Sequence, residues 1–186
     1  MDPLALIDLL LHGNQLKRTA RTGWVQRGVV NAENVAAHSF GVVYTTLVLA
    51  QLLDDPVDLG QALALAALHD LPEALTTDIP TPAWRYLPAG IKQEVERQAM
   101  RDMLDDTAPA AALLALWDTL NGPATAETHL VHDADKLEMY LQAYQYEKQT
   151  GNRALAEFWT TPHRFHYPQA QAIYNALRQL RAALGT

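Results

Sequence analysis

The stretch LGQALALAALHD, Leu59–Asp70, decides the fold. It is so rich in Ala and Leu that a helix here is predicted to be buried nearly all round, as the central member of a bundle would be. It ends on His69-Asp70, two groups that are costly to bury without partners. Adjacent helix residues diverge by about 100°, so both side chains can reach one ion beyond the helix end. An ordinary local reading, in which helix and loop groups satisfy the pair, is the alternative for an isolated His-Asp.

Working upstream, Asp54-Asp55-Pro56 breaks the preceding segment. A helix is predicted from the capping residues Asn31 to Asn34 to about Leu53, with Val35, His38, Val42, Thr45, Thr46 and Leu49 on one face. Lys17 to Gly28 is a basic loop carrying Lys17, Arg18, Arg21 and Arg27. Pro3 opens a first helix that Gly13 is expected to close.

Downstream, Pro72 interrupts, a short helical turn runs through Glu73 and Leu75, and three prolines stiffen the loop from Asp78 to Pro88. Further helices are predicted over Ile91–Leu104, Pro109–Leu120, about Thr125–Thr150, and Tyr167–Leu184. No alternating apolar run of strand length stands out. The expected class is all-α, one domain over residues 1–186, with a motif core at about 16–147 and C-terminal helices over 153–184 packed on it.

Composition narrows the chemistry. The chain has 186 residues, no cysteine, 14 Lys+Arg and 21 Asp+Glu, for a formal charge of −7. At 49% hydrophobic and 19% charged it builds a core rather than staying disordered. The missing cysteine excludes disulfides, thiol nucleophiles, iron–sulfur clusters and thiolate zinc sites. The acidic balance argues against polymeric nucleic acid and anionic membranes, which need clustered Lys and Arg. The first eleven residues lack a basic leader, and the apolar run Val42–Leu53 is too short to span a bilayer, so a cytoplasmic location is expected.

The histidines and acids form a pattern. His38 stands alone on an apolar helix face, which taken singly reads as a hydrogen-bonded core histidine. His132-Asp133-Ala134-Asp135 lies early in the long helix. Together with His69-Asp70 they offer two histidines and two carboxylates, a set suited to one divalent ion such as Mn, Co, Fe, Ni, Zn or Mg. Leu130, Ala134, Leu137 and Leu141 mark the apolar centre of the long helix, and periodicity alone chooses Asp133 or His132 as the ligand there. No Gly-x-Ser-x-Gly elbow or Gly-rich phosphate loop is present. His163 and His166, around Arg164, read as surface or packing residues, with a second metal site there the weaker option.

The order His38, His69-Asp70, Asp135 resembles that of HD-domain metal-dependent phosphohydrolases. It is most similar to the YfbR-type 5′-deoxynucleotidase branch and its eukaryotic relatives. The segments that carry the resemblance are Leu16-Lys17 with Arg21, Glu33 to Ser39, Leu68 to Pro82, Ala134 to Met139, and Tyr144 to Glu147. The string H-D-x-x-E-x-x-x-x-D-I-P-T-P is the specific part. The resemblance implies a single-domain HD-type helical bundle with a central metal cleft, usually in a homodimer. It implies His38, His69, Asp70 and Asp135 as metal ligands, so it selects Asp135 where periodicity selects Asp133. It implies Glu73 and Asp78 as catalytic acids and Arg21 as a phosphate contact. Beside Arg21, the residues themselves add Arg18 as a further positive charge, Thr22 as its immediate neighbour and Trp24 as a ring that could stack a base, as substrate-side candidates. Core packing is the default for Trp24, as for Trp84 and Trp159.

Three departures stand out. Thr22 follows the arginine where the branch has an aromatic that crowds the sugar 2′-position. Ala37 precedes His38 where an acid is common. Arg85, behind Trp84, is a phosphate candidate whose ordinary reading is surface. The implied activity is hydrolysis of (deoxy)nucleoside 5′-monophosphates. A dNTP phosphohydrolase and a catalytically silent nucleotide-binding module remain the alternatives. A phosphomonoester carries about two negative charges near neutral pH, and the ion with Arg21, Arg18 and Lys17 would oppose them. Glu73 needs a raised pKa to act as an acid.

Overall fold

The computed structural model describes residues 2–80, 83, 86–104 and 107–185. Side-chain caps start four of the helices named below. α1 (Pro3–Gln15) is capped by Asp2, whose side chain accepts from the Leu4 N–H at 2.9 Å. It runs through Gly13 instead of stopping there, because a helical glycine costs only about 1 kcal/mol. A short α2 (Thr22–Val25) follows. α3 (Val35–Ala50) is capped by Asn34 and buries Val35, His38, Ser39, Val42, Thr46 and Leu49. It ends before Leu53.

α4 (Leu59–Leu68) is capped by Asp58. Its burial is narrower than its composition suggests: Ala62, Leu65 and Ala66 form the buried stripe, while Gly60 and Ala67 are exposed. α5 (Glu73–Thr76) is a single turn. Thr77 then takes φ 61°, a left-handed backbone that is unfavourable for a β-branched residue. α6 (Ile91–Leu104) and α7 (Ala110–Asp118) precede α8 (Ala126–Thr150). Thr125 and Thr128 form a reciprocal capping box at the start of α8, and Gly151 closes it at φ 65°. α9 (Pro168–Ala182) is followed by a 3₁₀ turn over Ala183–Gly185.

The fold is the expected all-α bundle. Among the described residues the one strand-like pairing is an isolated bridge between Ala20 and Asn34, which ties the basic loop to the start of α3. Two apolar clusters organise the packing. The larger joins α3, α4, α8 and α9 through residues such as Val42, Leu65, Leu137 and Tyr174. The smaller, with Leu16, Val35, Met100 and Trp117, joins α1, α3, α6 and α7. α3 belongs to both, and the polar cluster described next lies where they meet. Among the described residues no helix is long and apolar enough to cross a membrane.

Candidate metal centre

His38 is delivered by α3 and is 0% exposed. His69 is the C-cap of α4, and Asp70 follows it. Asp135 sits on α8, well along from the helix start. These positions bring four groups together. The two Nε2 atoms of His38 and His69 are 3.4 Å apart. Asp70 Oδ2 lies 3.5 Å from His38 Nε2 and 3.2 Å from His69 Nε2. Asp135 Oδ1 lies 3.3 Å from His38 Nε2.

The far side of each ring fixes what the near side presents. His69 Nδ1 is 2.7 Å from the Ala66 carbonyl oxygen, which only accepts, so Nδ1–H donates. His38 Nδ1 is likewise 2.5 Å from Glu138 Oε2. In the neutral tautomers both Nε2 lone pairs then face each other and two carboxylates. Acceptors crowded this way require a cation between them. Without a metal, that cation is a proton. Burial works against a charged His38, yet hydrogen bonds to Asp135 and Glu138 outweigh it and push the imidazole up to about 10. Burial also opposes the charge on Asp70, and His69, His38 and Arg21 override it, holding the carboxyl well below its ordinary value. A first-row divalent ion bound at about 2.0–2.2 Å needs ligand atoms spaced much as these are. His38, His69 and Asp135 each offer an atom within 4.8 Å of the others. The donor set fits one divalent ion.

Comparison with known proteins agrees with this geometry. The chain matches the HD domain family over residues 13–174. It belongs to that family. The 5′-deoxynucleotidase HDDC2 of Danio rerio is 34% identical over 173 residues, covering 90% of this chain and 84% of the relative. The human 5′-deoxynucleotidase HDDC2 is 30% identical over 182 residues, covering 96% and 87%. The crystal structure of the PH0347 protein from Pyrococcus horikoshii OT3 superposes with a TM-score of 0.80 at 36% identity, covering 94% of this chain and 99% of that one.

Around this HD-domain centre the other candidates separate. Arg21 Nη1 is 3.5 Å from Asp70 Oδ2 and 3.9 Å from Asp78 Oδ2. Asp78 is held in turn by Thr22, whose N–H donates to Oδ2 at 2.8 Å and whose hydroxyl donates to the Asp78 carbonyl at 2.6 Å. Glu73 is 7% exposed, and its Oε2 has no hydrogen-bond partner. Burial, then the charges of Asp70 and Asp78, push its carboxyl up to about 9. It is therefore protonated at neutral pH in the metal-free protein.

Two of the substrate-side candidates are engaged by neighbouring side chains. Arg18 is exposed and bonds Gln15 at 2.5 Å. Trp24 is 2% exposed, with Tyr146 and Phe158 against its ring and its Nε1–H given to Glu33 at 2.9 Å, so it offers no face to a base. Thr81, Pro82, Trp84 and Arg85 lie outside the described residues.

Asp133, the choice of periodicity, is buried, but both its oxygens accept backbone N–H bonds, from His166 at 2.9 Å and Tyr167 at 2.8 Å. It pins the start of α9 rather than facing the histidines. His163, Arg164 and His166 line a cavity of about 490 Å³ with His129 and His132. The described residues there gather no three ligand atoms for an ion. Glu138 was missed by sequence reasoning, although it stands three residues after Asp135 on α8. It supplies, from another helix, an acid behind His38 where Ala37 cannot.

Proposed function

We propose that this protein is a metal-dependent phosphohydrolase that converts (deoxy)nucleoside 5′-monophosphates to nucleoside and orthophosphate. The observation that carries this is the juxtaposition of two histidines and two carboxylates, a half-buried arginine and a buried carboxyl with an unpartnered oxygen. The curated relatives named above are 5′-deoxynucleotidases, which supports the substrate class.

In this reading His38, His69, Asp70 and Asp135 hold the ion. When bound, a divalent ion neutralises phosphoryl oxygens and lowers the pKa of a coordinated water. Arg21, kept charged by Asp70 and Asp78, binds and orients the phosphate. Hydrolysis adds water to phosphorus and breaks the P–O5′ bond. Glu73 gives its proton to the departing 5′-oxygen, so the nucleoside leaves as an alcohol and not as an alkoxide. Asp78, fixed at two points by Thr22, positions water or a sugar hydroxyl.

A panel of dAMP, AMP and dATP with Mn, Co or Mg, read by phosphate release, tests the reading. Orthophosphate is expected from the monophosphates and little from dATP. The opposite preference would make it a triphosphate hydrolase, and tight nucleotide binding without turnover would make it a silent binding module.

A second copy of the chain is the proposed partner. Phe40, Tyr44, Leu47 and Val48 are all exposed on one face of α3, at the spacing of a helical stripe. Light scattering on a sizing column is expected to give twice the monomer mass, and Tyr44→Glu to shift it to one. A monomeric parent protein would sink the homodimer.

A further inference from the structure

We propose that Glu138 is a positioning residue for the metal centre. Its carboxylate, admitted against α3 by the absent side chain of Gly41, locks the His38 ring with Nε2 turned toward the ion. This rests on the metal-dependent reading above.

The geometry begins at the ring. His38 is fully buried, so its imidazole can turn only as far as its neighbours allow. Its Nδ1 lies 2.5 Å from Glu138 Oε2. A carboxylate accepting from Nδ1–H selects the tautomer whose lone pair is on Nε2, the atom that faces His69, Asp70 and Asp135. Glu138 is itself buried at 8% exposure, so solvent does not compete for that bond.

Gly41 lies one turn after His38, in the middle of α3. Its backbone has no positive φ, so conformation does not require glycine there. In a helix interior glycine costs about 1 kcal/mol relative to alanine. What it provides is space. A Cβ at this position would stand 2.7 Å from Glu138 Oε1, 2.9 Å from Cγ and 3.0 Å from Cδ. Alanine would displace the carboxylate. Glu33 closes the pocket from the other side: a carboxylate oxygen of Glu33 lies within 4.8 Å of both Glu138 and His38. Glu33 is anchored by Trp24 Nε1–H at 2.9 Å, and its N–H donates to the Tyr146 hydroxyl at 2.8 Å. Trp24 thus serves the centre from behind.

The test is the affinity of metal-stripped protein for Co(II), measured by competition with a coloured chelator. Glu138→Ala and Gly41→Ala are each expected to weaken binding about 10–100-fold, the usual range for losing the partner behind a ligating histidine. The double variant should bind no more weakly than Glu138→Ala, because Gly41 acts only through Glu138. Glu138→Gln, which still accepts from Nδ1–H, should lose less. Excess Co(II) should restore turnover to Glu138→Ala, which a merely misfolded site would not allow. If Glu138→Ala does not melt cooperatively, Gly41→Ala and Glu138→Gln carry the same comparison. Parent-like affinity in these variants, beside lost binding in His69→Ala, overturns the role of Glu138 and leaves the metal reading standing. Losses that multiply in the double variant overturn the role of Gly41. Unchanged binding in His69→Ala would overturn the metal reading itself, and this inference with it.

Discussion

Glu73→Gln is expected to cut turnover of a nucleoside monophosphate about 10²–10⁴-fold, the range for losing a general acid, while making the metal-free protein more stable at pH 8. The two effects have one cause. Glu73 is buried with an unpartnered oxygen, near Asp70 and Asp78, and its pKa rises from 4.5 to about 9. Unfolding returns it to its ordinary pKa. Between those values the folded state holds a proton that the unfolded state has released. The contribution of Glu73 to stability is therefore full below pH 4.5 and is lost as pH rises through 9. Glutamine carries no such linkage. The gap in melting temperature between variant and parent should widen from pH 5 to pH 8, by on the order of 10 °C. It should narrow when a divalent ion offsets the charge of Asp70. A variant equally stable at both pH values, with unchanged turnover, would remove Glu73 from the acid role.

The pair Asp135→Asn and Asp133→Asn should separate function from architecture two residues apart. Asp135→Asn removes a carboxylate that faces His38 at 3.3 Å. It should abolish metal uptake and turnover, a larger loss than the 10–100-fold typical of an outer partner, and chelation of the parent should reproduce it. Asp133→Asn keeps the ligand set and weakens two charge-assisted bonds to the start of α9. It should cost about 1–3 kcal/mol of stability and leave metal uptake intact. Isothermal titration of each variant, with its melting curve, decides the matter; the reverse pattern would move the ligand to Asp133.

That pair also shows where sequence reading reached its limit. A single apolar stripe predicts one inward face, but α8 lies between α3 and α4 on one side and α9 on another. Both aspartates are consequently drawn inward, toward different neighbours, and periodicity cannot rank them. Motif resemblance could, since the spacing around Asp135 carries information about the tertiary site. Helix starts were legible because Asn34, Asp58 and Thr125 do capping chemistry that depends on local sequence. Helix ends were less so: Gly13 is tolerated inside α1, and apolar Leu52 and Leu53 continue past the end of α3. In α4 small apolar residues were mistaken for burial; Ala67 is apolar and exposed. Glu138 was hidden for a deeper reason. Its burial depends on a gap at Gly41, on a helix remote in sequence.

The spread of the ligand set along the chain has one more consequence. His38 and His69 are 31 residues apart, and Asp135 lies farther on, across a longer span. An ion gripping all three closes two loops at once, and loop closure costs chain entropy mainly in the unfolded ensemble. In a polypeptide with no cysteine, such an ion would act as a cross-link. Held by these residues, it would staple α3, α4 and α8 where the two apolar clusters meet, and its binding free energy would also be folding free energy. The group proposed to activate the water would thereby also be a topological fastener of the bundle.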